Sequence, residues 1–455
     1  MLIRNNKEKG AQPMENSGIY VGLDIGTTSI KVIVAEYVKN QLNIIGVGSE
    51  RSDGLSRGVI VDIDRAVTAI KKAVAQAEQK ANIQISDVIV GIPADLLEIV
   101  PCSGMIAIGD ENGNSKEINN DDVYSVTKAA LTQKLPPERD IIDVLPDEFI
   151  VDGFDGIKDP RGMIGVRLEM KGVVYTGPKT ILHNTLKCVQ MAGLNVKDTL
   201  VAPLALSTVA LSDGERDFGT VLLDLGGGQT TAAVVHDHKL KYTYVDQEGG
   251  KFITKDISVV LNTSLENAEK VKRNYGYAAS YLASKDDLFP VEVVGKTDTV
   301  QISGEYLGEI IEARLTQIFT KLKNALVQVN ALGLPGGIVI TGGVAALPGV
   351  KELAEDIFDV NIRIFIPQQM GLRHPSFAQA IGLIQYMTIR SEIEVVVKSA
   401  LSGNVKQVSQ KAEETNNPQL VKVDFDGKKA ESKQKKQSKS GAFEGLKNFF
   451  NTFFD

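Results

Sequence analysis

Two short segments, one in each half of the chain, combine an aspartate with a turn of glycine and hydroxyl residues. In the first, Asp24 ends an apolar run and is followed by Gly26, Thr27 and Thr28. In the second, Asp224 has the same place before Gly226, Gly227, Gly228, Gln229 and Thr230. Glycines let the backbone approach an anion closely, and hydroxyl and N–H groups donate to its oxygens. Each segment therefore predicts a phosphate-binding β-hairpin, with Asp24 and Asp224 holding a divalent cation through water.

Two further features extend this pattern. Lys31 follows the first turn and is expected to reach the β- or γ-phosphate, although a surface lysine is the alternative. Gly342 and Gly343 stand between an apolar strand and the start of a helix, where backbone can lie against a flat adenosine. Alone, this pair would equally fit an ordinary strand–helix turn. Together with the two hairpins it predicts a duplicated fold that closes on a nucleotide from both sides.

The order of these three motifs resembles the superfamily of actin, sugar kinases and heat-shock chaperones. Over roughly residues 18–390, and again in the tail, the chain is similar to the bacterial FtsA cell-division family of Gram-positive type. The resemblance implies an α/β, actin-like two-domain fold with duplicated ribonuclease-H-like cores, which binds ATP and Mg²⁺. It adds Gly249 and Gly250 to the site, with Glu269 facing the ribose and Lys272 facing the ribose or adenine. The alternative for Glu269 and Lys272 is a solvated helix face.

Changes in local composition along the sequence divide the chain into segments. Proline-broken apolar runs set residues 86–165 apart as an inserted subdomain, and residues 402–440 are rich in Ser, Gln, Asn, Lys and Glu. The helices that the apolar periodicity predicts include 62–81 and 179–191. We expect a disordered N-terminus (1–17), a first core (18–85 and 166–212) with its insert (86–165), a second core (213–248 and 306–391) with its insert (249–305), a disordered linker (392–440) and an amphipathic helix (441–455).

The final segment carries large apolar residues at helical spacing behind a basic run of lysines. A stripe of this kind beyond a polar linker predicts an in-plane membrane helix that binds an anionic surface. The alternative is a helix that docks on the body or in a partner's groove. One such helix binds a membrane weakly, so firm attachment would depend on several tails in one polymer. The stripe consists of Phe443, Leu446, Phe449, Phe450, Phe453 and Phe454.

Composition and short motifs argue against several other kinds of protein, among them zinc proteins, disulfide-bonded proteins and proteins with a membrane-spanning helix. The chain has 455 residues and a net charge of −7, and its two cysteines, Cys102 and Cys188, form no metal or disulfide pattern. It holds no run of 18 apolar residues and no apolar signal segment at its start, where Met14 is a possible initiator. The spacing of His236 and His238 would suit a metal, but a turn is expected there. The Lys-Thr pair near residue 296 lacks the glycine that a Walker A loop requires.

The resemblance implies a scaffold on the cytoplasmic side of the cell membrane, at the division site. It would polymerise, recruit other division proteins and anchor FtsZ, whose C-terminal peptide would meet Lys270, Lys272 and Arg273 in the second insert; nucleic acid is not expected. Alanine at position 202, where hydrolysing relatives carry a carboxylate or amide, predicts a nucleotide switch with weak or no hydrolysis. The alternatives are an actin-like pilus-assembly protein or a small-molecule kinase of the same superfamily, and a chaperone is less favoured.

Overall fold

The computed structural model describes residues 18–109, 113–132 and 135–402. The first half begins with an antiparallel meander, a small hairpin, a helix and a parallel strand. The helix packs on β3, where a Cβ added at Gly48 would lie 1.8 Å from the carbonyl oxygen of Ala73. It begins at the N-cap Asp62, as predicted. The elements are β1 (Gly18–Ile25), β2 (Ser29–Val38), β3 (Gln41–Arg51), β4 (Leu55–Ser56), β5 (Val59–Ile60), α1 (Ile63–Ala81) and β6 (Asp87–Ile92).

An inserted subdomain follows, in which an antiparallel sheet packs against one helix. It comprises β7 (Glu98–Ala107), β8 (Lys116–Glu117), α2 (Asn120–Ala130), β9 (Arg139–Val151), β10 (Phe154–Ile157), β11 (Ile164–Gly165) and β12 (Arg167–Pro178). The predicted bounds 86–165 were wrong at both ends. β6 pairs with β1 in the core sheet, whereas β12 pairs with β7 and β9 in the insert. Strand pairing is non-local, so the apolar runs alone did not show which sheet each strand joins.

The chain then returns to the first core through α3 (Lys179–Met191), β13 (Asn195–Val201), α4 (Ala202–Ala210) and α5 (Asp213–Phe218). The predicted helix 179–191 is confirmed. β13 lies parallel to β6, which completes a five-stranded sheet of order β13-β6-β1-β2-β3.

The second half repeats this order in a sheet β16-β15-β14-β19-β20, so the predicted duplication is confirmed. The β15–β16 connection holds Asp237 and His238 at positive φ, which confirms a turn there. The elements are β14 (Thr220–Leu225), β15 (Thr230–His236), β16 (Lys239–Asp246), α6 (Gly250–Val260), α7 (Leu265–Tyr275), β17 (Leu288–Val291), β18 (Val300–Ser303), α8 (Gly304–Gln328), β19 (Ile338–Thr341), α9 (Val350–Phe358), β20 (Ile362–Ile364), α10 (Ala378–Ile389) and α11 (Glu392–Ser402).

The last helix corrects a second expectation. Residues 392–402, assigned to a disordered linker, form α11, which packs against α2 and β9 of the insert. Its buried face consists of Ile393, Val396, Val397 and Ala400. The rest of the predicted linker, the amphipathic segment 441–455 and residues 1–17 lie outside the described residues. Within the described ranges, none of the helices has the length and apolarity needed to cross a membrane.

Candidate nucleotide site

The two predicted hairpin turns meet each other across the halves of the chain. The β1–β2 turn contains Thr27 and Thr28, and the β14–β15 turn contains Gly227 and Gly228. A Cβ added at Gly227 would lie 1.6 Å from Thr28 Oγ1, and one added at Gly228 would lie 2.4 Å from Thr27 Cγ2. Such distances are shorter than any real contact, so only glycine permits this approach. The glycines therefore serve the packing of the two turns as well as access to backbone N–H groups.

Two carboxylates lie beneath these turns, near the ends of β1 and β14. Asp24 is the cross-strand partner of Lys31, whose Nζ lies 3.5 Å from Asp24 Oδ2. Lys31 is only 8% exposed, so the alternative of a surface lysine was wrong. Burial raises the pKa of Asp24, and the charge of Lys31 opposes this. Burial and the charge of Asp24 raise the pKa of Asp224 to about 6, against a smaller opposing effect of Lys31.

This charge distribution suits a bound cation. Two partly buried carboxylates near one lysine leave excess negative charge in a poorly solvated place, which disfavours the charged form of both. A divalent cation nearby would remove that penalty, and carboxylate oxygens are the ligands that Mg²⁺ accepts directly or through water. Asp24 and Asp224 therefore fit the role expected of them.

Polar atoms without partners also border the turns. Thr28 Oγ1, Gln229 Oε1 and Ser52 Oγ are buried and make no hydrogen bond in the structure. Buried polar groups are nearly always satisfied in folded proteins, so such a group signals a missing partner. The hydroxyls of Thr28 and Ser52 could donate to phosphate oxygens, whereas the Gln229 oxygen could accept from cation-bound water.

Thr230 corrects the expectation of a phosphate donor at that position. Its side chain is buried, and its hydroxyl donates to the carbonyl oxygen of Glu248 at 2.9 Å. Because a hydroxyl has one proton, this bond uses it for the backbone. Thr230 therefore stabilises the second turn from within the protein.

The expected adenosine side is built by the start of α6 and by the middle and last turn of α7. The N–H of Gly250 donates to the carbonyl of Gly226 at 2.9 Å, which places the Gly249–Gly250 start of α6 on the second turn. On α7, Lys272 is 6% exposed and its Nζ donates to Glu269 Oε2 at 2.6 Å. Lys272 therefore does not lie on a solvated helix face, which was the alternative.

The Glu269–Lys272 pair is held by further contacts. Lys272 Nζ also donates to Thr254 Oγ1 at 2.8 Å and to the carbonyl of Gly250 at 3.1 Å, and Thr254 donates to Glu269. Burial alone would raise the pKa of Glu269, but Lys272, Thr254 and Arg273 lower it to about 2. Glu269 is thus a fixed, charged acceptor beside the second turn.

The glycine pair after β19 begins next to the carboxylate of Asp224. Gly342 has a φ of +94°, and a Cβ there would lie 2.4 Å from Asp224 Oδ1. A Cβ at Gly343 would meet only Ser376, at 3.9 Å, so the backbone there borders open space. His374 Nδ1 lies 2.8 Å from Ser376 Oγ, and burial, with the charges of Lys31 and Arg273, lowers the pKa of His374 to about 4.

Three residues were expected to bind a peptide. For Lys272 this expectation was wrong, because its ammonium group is buried. Arg273 Nε donates to Glu269 Oε1 at 2.8 Å, so it belongs to the cluster beside the second turn. Lys270 is exposed and pairs only loosely with Glu266, at 3.4 Å on the same helix. Ala202 begins α4 and brings no titratable group. The membrane residues Phe443, Leu446, Phe449, Phe450, Phe453 and Phe454 lie outside the described residues.

Sequence reasoning missed several residues of the site. Gly58 donates its N–H to Thr27 Oγ1 at 2.8 Å, and Lys251 donates Nζ to the carbonyl of Thr27 at 2.9 Å. Ser52 and His374 were missed in the same way. For His374 and Ser52 the chain offers no spacing signal. For Gly58, its place in an Arg-Gly turn between two short apolar runs could have predicted a tight hairpin.

Two sheets of equal strand order, each with a glycine and hydroxyl turn after its first strand, define an actin-like fold. Solved structures agree on this fold. A chain titled PilM-PilN type IV pilus biogenesis complex matches with a TM-score of 0.56 and 18% identity, covering 82% of this chain and 99% of that one. MreB5 of Spiroplasma citri bound to ADP matches with a TM-score of 0.51 and 13% identity, covering 86% and 100%.

Sequence comparison then identifies the family. Residues 221–382 match the model of cell division protein FtsA, and residues 95–176 match the SHS2 domain inserted in FtsA. The cell division protein FtsA of Enterococcus hirae is 52% identical over 97% of this chain and 100% of its own length. The chain belongs to the FtsA family of cell-division proteins. The matched SHS2 range agrees with the insert seen in the structure, and the likeness to PilM extends only to the fold.

Proposed function

We propose that the chain binds ATP with Mg²⁺ between its two hairpin turns and uses the nucleotide as a conformational switch. The observation that carries the proposal is the direct apposition of Thr27 and Thr28 with Gly227 and Gly228, next to the two partly buried carboxylates of Asp24 and Asp224. Phosphate oxygens would be held by backbone N–H groups of both turns and by Lys31. When bound, Mg²⁺ would supply charge that offsets the two aspartates and the phosphates.

The nucleoside would lie beyond the second turn. Glu269 would accept a hydrogen bond from the ribose, and Gly342 and Gly343 would provide backbone against the ribose and base. Lys272 would act mainly through Glu269, because its ammonium group already donates to three oxygens in the protein. Alanine at position 202 offers nothing to orient a water, so turnover is expected to be slow or absent. Hydrolysis of several ATP molecules per second by purified protein would contradict this.

As a member of its family the chain would act as a scaffold at the division site. We propose that it polymerises on the cytoplasmic side of the membrane through its amphipathic segment 441–455, anchors FtsZ there and recruits other division proteins. An acidic peptide of FtsZ would meet the second insert, where Lys270 remains exposed. Arg273 would contribute less, because its guanidinium already serves Glu269.

The test of nucleotide binding uses calorimetric titration of the full chain with MgATP. Gly227→Ala would place a methyl group on Thr28 and is expected to weaken binding at least tenfold. The matched control is Gly214→Ala, where an added Cβ meets nothing within 4 Å and affinity should stay unchanged. Equal affinity of both variants and the wild type would refute binding between the turns.

Membrane attachment is tested separately by co-sedimentation with anionic vesicles, with and without MgATP. The full chain should sediment, and more completely under conditions that favour polymers, because several tails act together. A chain truncated after Ser440 should remain in the supernatant. Equal sedimentation of both chains would refute the role of the apolar stripe.

A further inference from the structure

A small hairpin outside the two phosphate turns reaches the same site. β4 and β5 are joined by Arg57 and Gly58, which both have positive φ, 50° and 78°. This combination makes the tight mirror-image turn that suits two-residue hairpins. A Cβ at Gly58 would lie 2.2 Å from Gln229 Oε1, so the tip of this hairpin lies directly on the second phosphate turn.

The hairpin also fixes the first phosphate turn. The N–H of Gly58 donates to Thr27 Oγ1 at 2.8 Å, and the N–H of Ser52, just before the hairpin, donates to the carbonyl of Thr28 at 3.0 Å. A hydroxyl oxygen that accepts a hydrogen bond on one side directs its own proton elsewhere. Gly58 thereby leaves the Thr27 hydroxyl as a donor with a restricted orientation.

Arg57 extends the contact to the second half of the chain. Its Cζ lies 5.8 Å from the ring centroid of Phe252, within the range of a cation–π interaction. Phe252 belongs to the first turn of α6, which is joined to the second phosphate turn by the bond from Gly250 to Gly226. The Phe252 ring is therefore attached to that turn through the backbone at the start of α6.

Other charged groups lie close to the Phe252 ring. Arg314 Cζ lies 5.9 Å from the same ring, and its guanidinium is held by Asp256 at 2.5 Å and by Glu248 at 3.0 Å. The neighbouring Lys251 crosses between the halves to the carbonyl of Thr27. Arg57 is exposed and reaches this ring from the first half.

We propose that the Arg57–Gly58 turn is a positioning element that couples closure of the two halves to bound nucleotide. Gly58 orients the Thr27 hydroxyl toward the phosphates, and Arg57 on Phe252 holds the two phosphate turns together. Loosening the turn lets the halves separate and the nucleotide leave. This inference rests on the proposed nucleotide site and names the residues that regulate release from it.

The test compares release of a fluorescent ATP analogue, in the presence of Mg²⁺, from the wild type and from Arg57→Gln. Glutamine removes the charge but keeps a side chain at the same positive φ. An exposed cation–π contact corresponds to about a three- to fivefold change in an equilibrium, so release should be about three- to fivefold faster. Arg65→Gln on α1, which removes an exposed arginine paired with Asp62, is the matched control and should release at the wild-type rate.

A double-mutant cycle separates this role from a merely structural one. If Arg57 acts on Phe252, then Arg57→Gln made on top of Phe252→Leu should accelerate release by less than twofold. Thermal unfolding without nucleotide should be the same for Arg57→Gln and Arg65→Gln, because the contact is exposed. Additive effects in the cycle, or an unchanged release rate in Arg57→Gln, would overturn the inference.

A second variant addresses the hydroxyl. Gly58→Ala adds a methyl group at a φ of 78°, where an L side chain is strained, and so should displace the N–H that donates to Thr27 and lower MgATP affinity at least tenfold. If it does not fold, the Arg57 cycle still decides the matter. Failure of the wild type to bind MgATP would sink the proposed function together with this inference. Normal wild-type binding with normal release from Arg57→Gln would sink the inference alone.

Discussion

Replacing Asp224 by asparagine distinguishes two effects of this residue. One is the free-energy cost of keeping its carboxylate charged in the folded protein, and the other is its proposed role in binding Mg²⁺. Burial and the charge of Asp24 raise the Asp224 pKa from 3.8 to about 6. At pH 8 the folded protein must keep this carboxylate charged, at a cost of at most about 3 kcal/mol for a shift of that size. Because the carboxylate borders the cleft, water screens part of this cost. We expect about 1–3 kcal/mol of added stability in nucleotide-free Asp224→Asn.

The sign of the pH dependence follows from the raised pKa. Below the unfolded pKa of 3.8 the carboxyl is protonated in both states, and its burial carries no charge penalty. The penalty grows as pH rises from 3.8 and is complete above about 6. The stability difference between Asp224→Asn and the wild type should therefore be smallest near pH 4 and level off above pH 7.

Thermal unfolding in EDTA and in MgATP measures both effects. Without ligand, Asp224→Asn should melt about 1–4 °C higher than the wild type at pH 8. In MgATP the wild type should gain stability, whereas the variant should gain little, because the amide is a poorer partner for the cation. Asp359→Asn is the control, since Asp359 caps α9 in a left-handed conformation that asparagine also adopts. A variant that melts lower in EDTA, or gains as much from MgATP, would refute the reasoning.

Three other substitutions test the packing around the site. Lys272→Met should destabilise the protein by about 3–5 kcal/mol in denaturant titrations, because it leaves the carboxylate of Glu269 without its main partner. Adding Glu269→Gln to this variant should restore part of the lost stability. Lys398→Met should cost about 3 kcal/mol and accelerate amide hydrogen exchange in α2 and β9. Gly48→Ala should lower the melting temperature sharply by pushing α1 off its sheet, whereas Gly214→Ala should leave it unchanged.

The local part of the site could be predicted because turn chemistry is local. An aspartate, a few glycines and hydroxyls determine a hairpin within about ten residues, and both hairpins occur where expected. Thr230 was misjudged within the same motif. Its type suits a phosphate, but the direction of its hydroxyl depends on Glu248, which lies 18 residues further on. Residue type alone therefore identifies the turn and does not identify each donor.

The non-local part could not be predicted from patterns. The bounds of the insert depend on which sheet each apolar strand joins, and β6 and β12 each joined the sheet that was not expected. Gly58 lies against Gln229, and Lys251 donates to the carbonyl of Thr27, so both of these contacts form between the two halves of the chain. In each case the partner lies in the other half, and no local pattern in the sequence indicates it.

Helix α11, whose residues were expected to be disordered, shows how the insert is attached to the first core. Lys398 Nζ forms ion pairs with Asp143 Oδ1 at 2.7 Å and with Asp198 Oδ1 at 3.3 Å, and Arg390 lies 2.7 Å from Asp198. Asp143 belongs to β9 of the insert and Asp198 to β13 of the first core. The buried carboxylate of Asp143 and the partly buried carboxylate of Asp198 would repel each other, so the two cations supplied by the last described segment of the chain stabilise their proximity. The orientation of the SHS2 insert on its core therefore depends on α11, directly before the segment proposed to lead to the membrane.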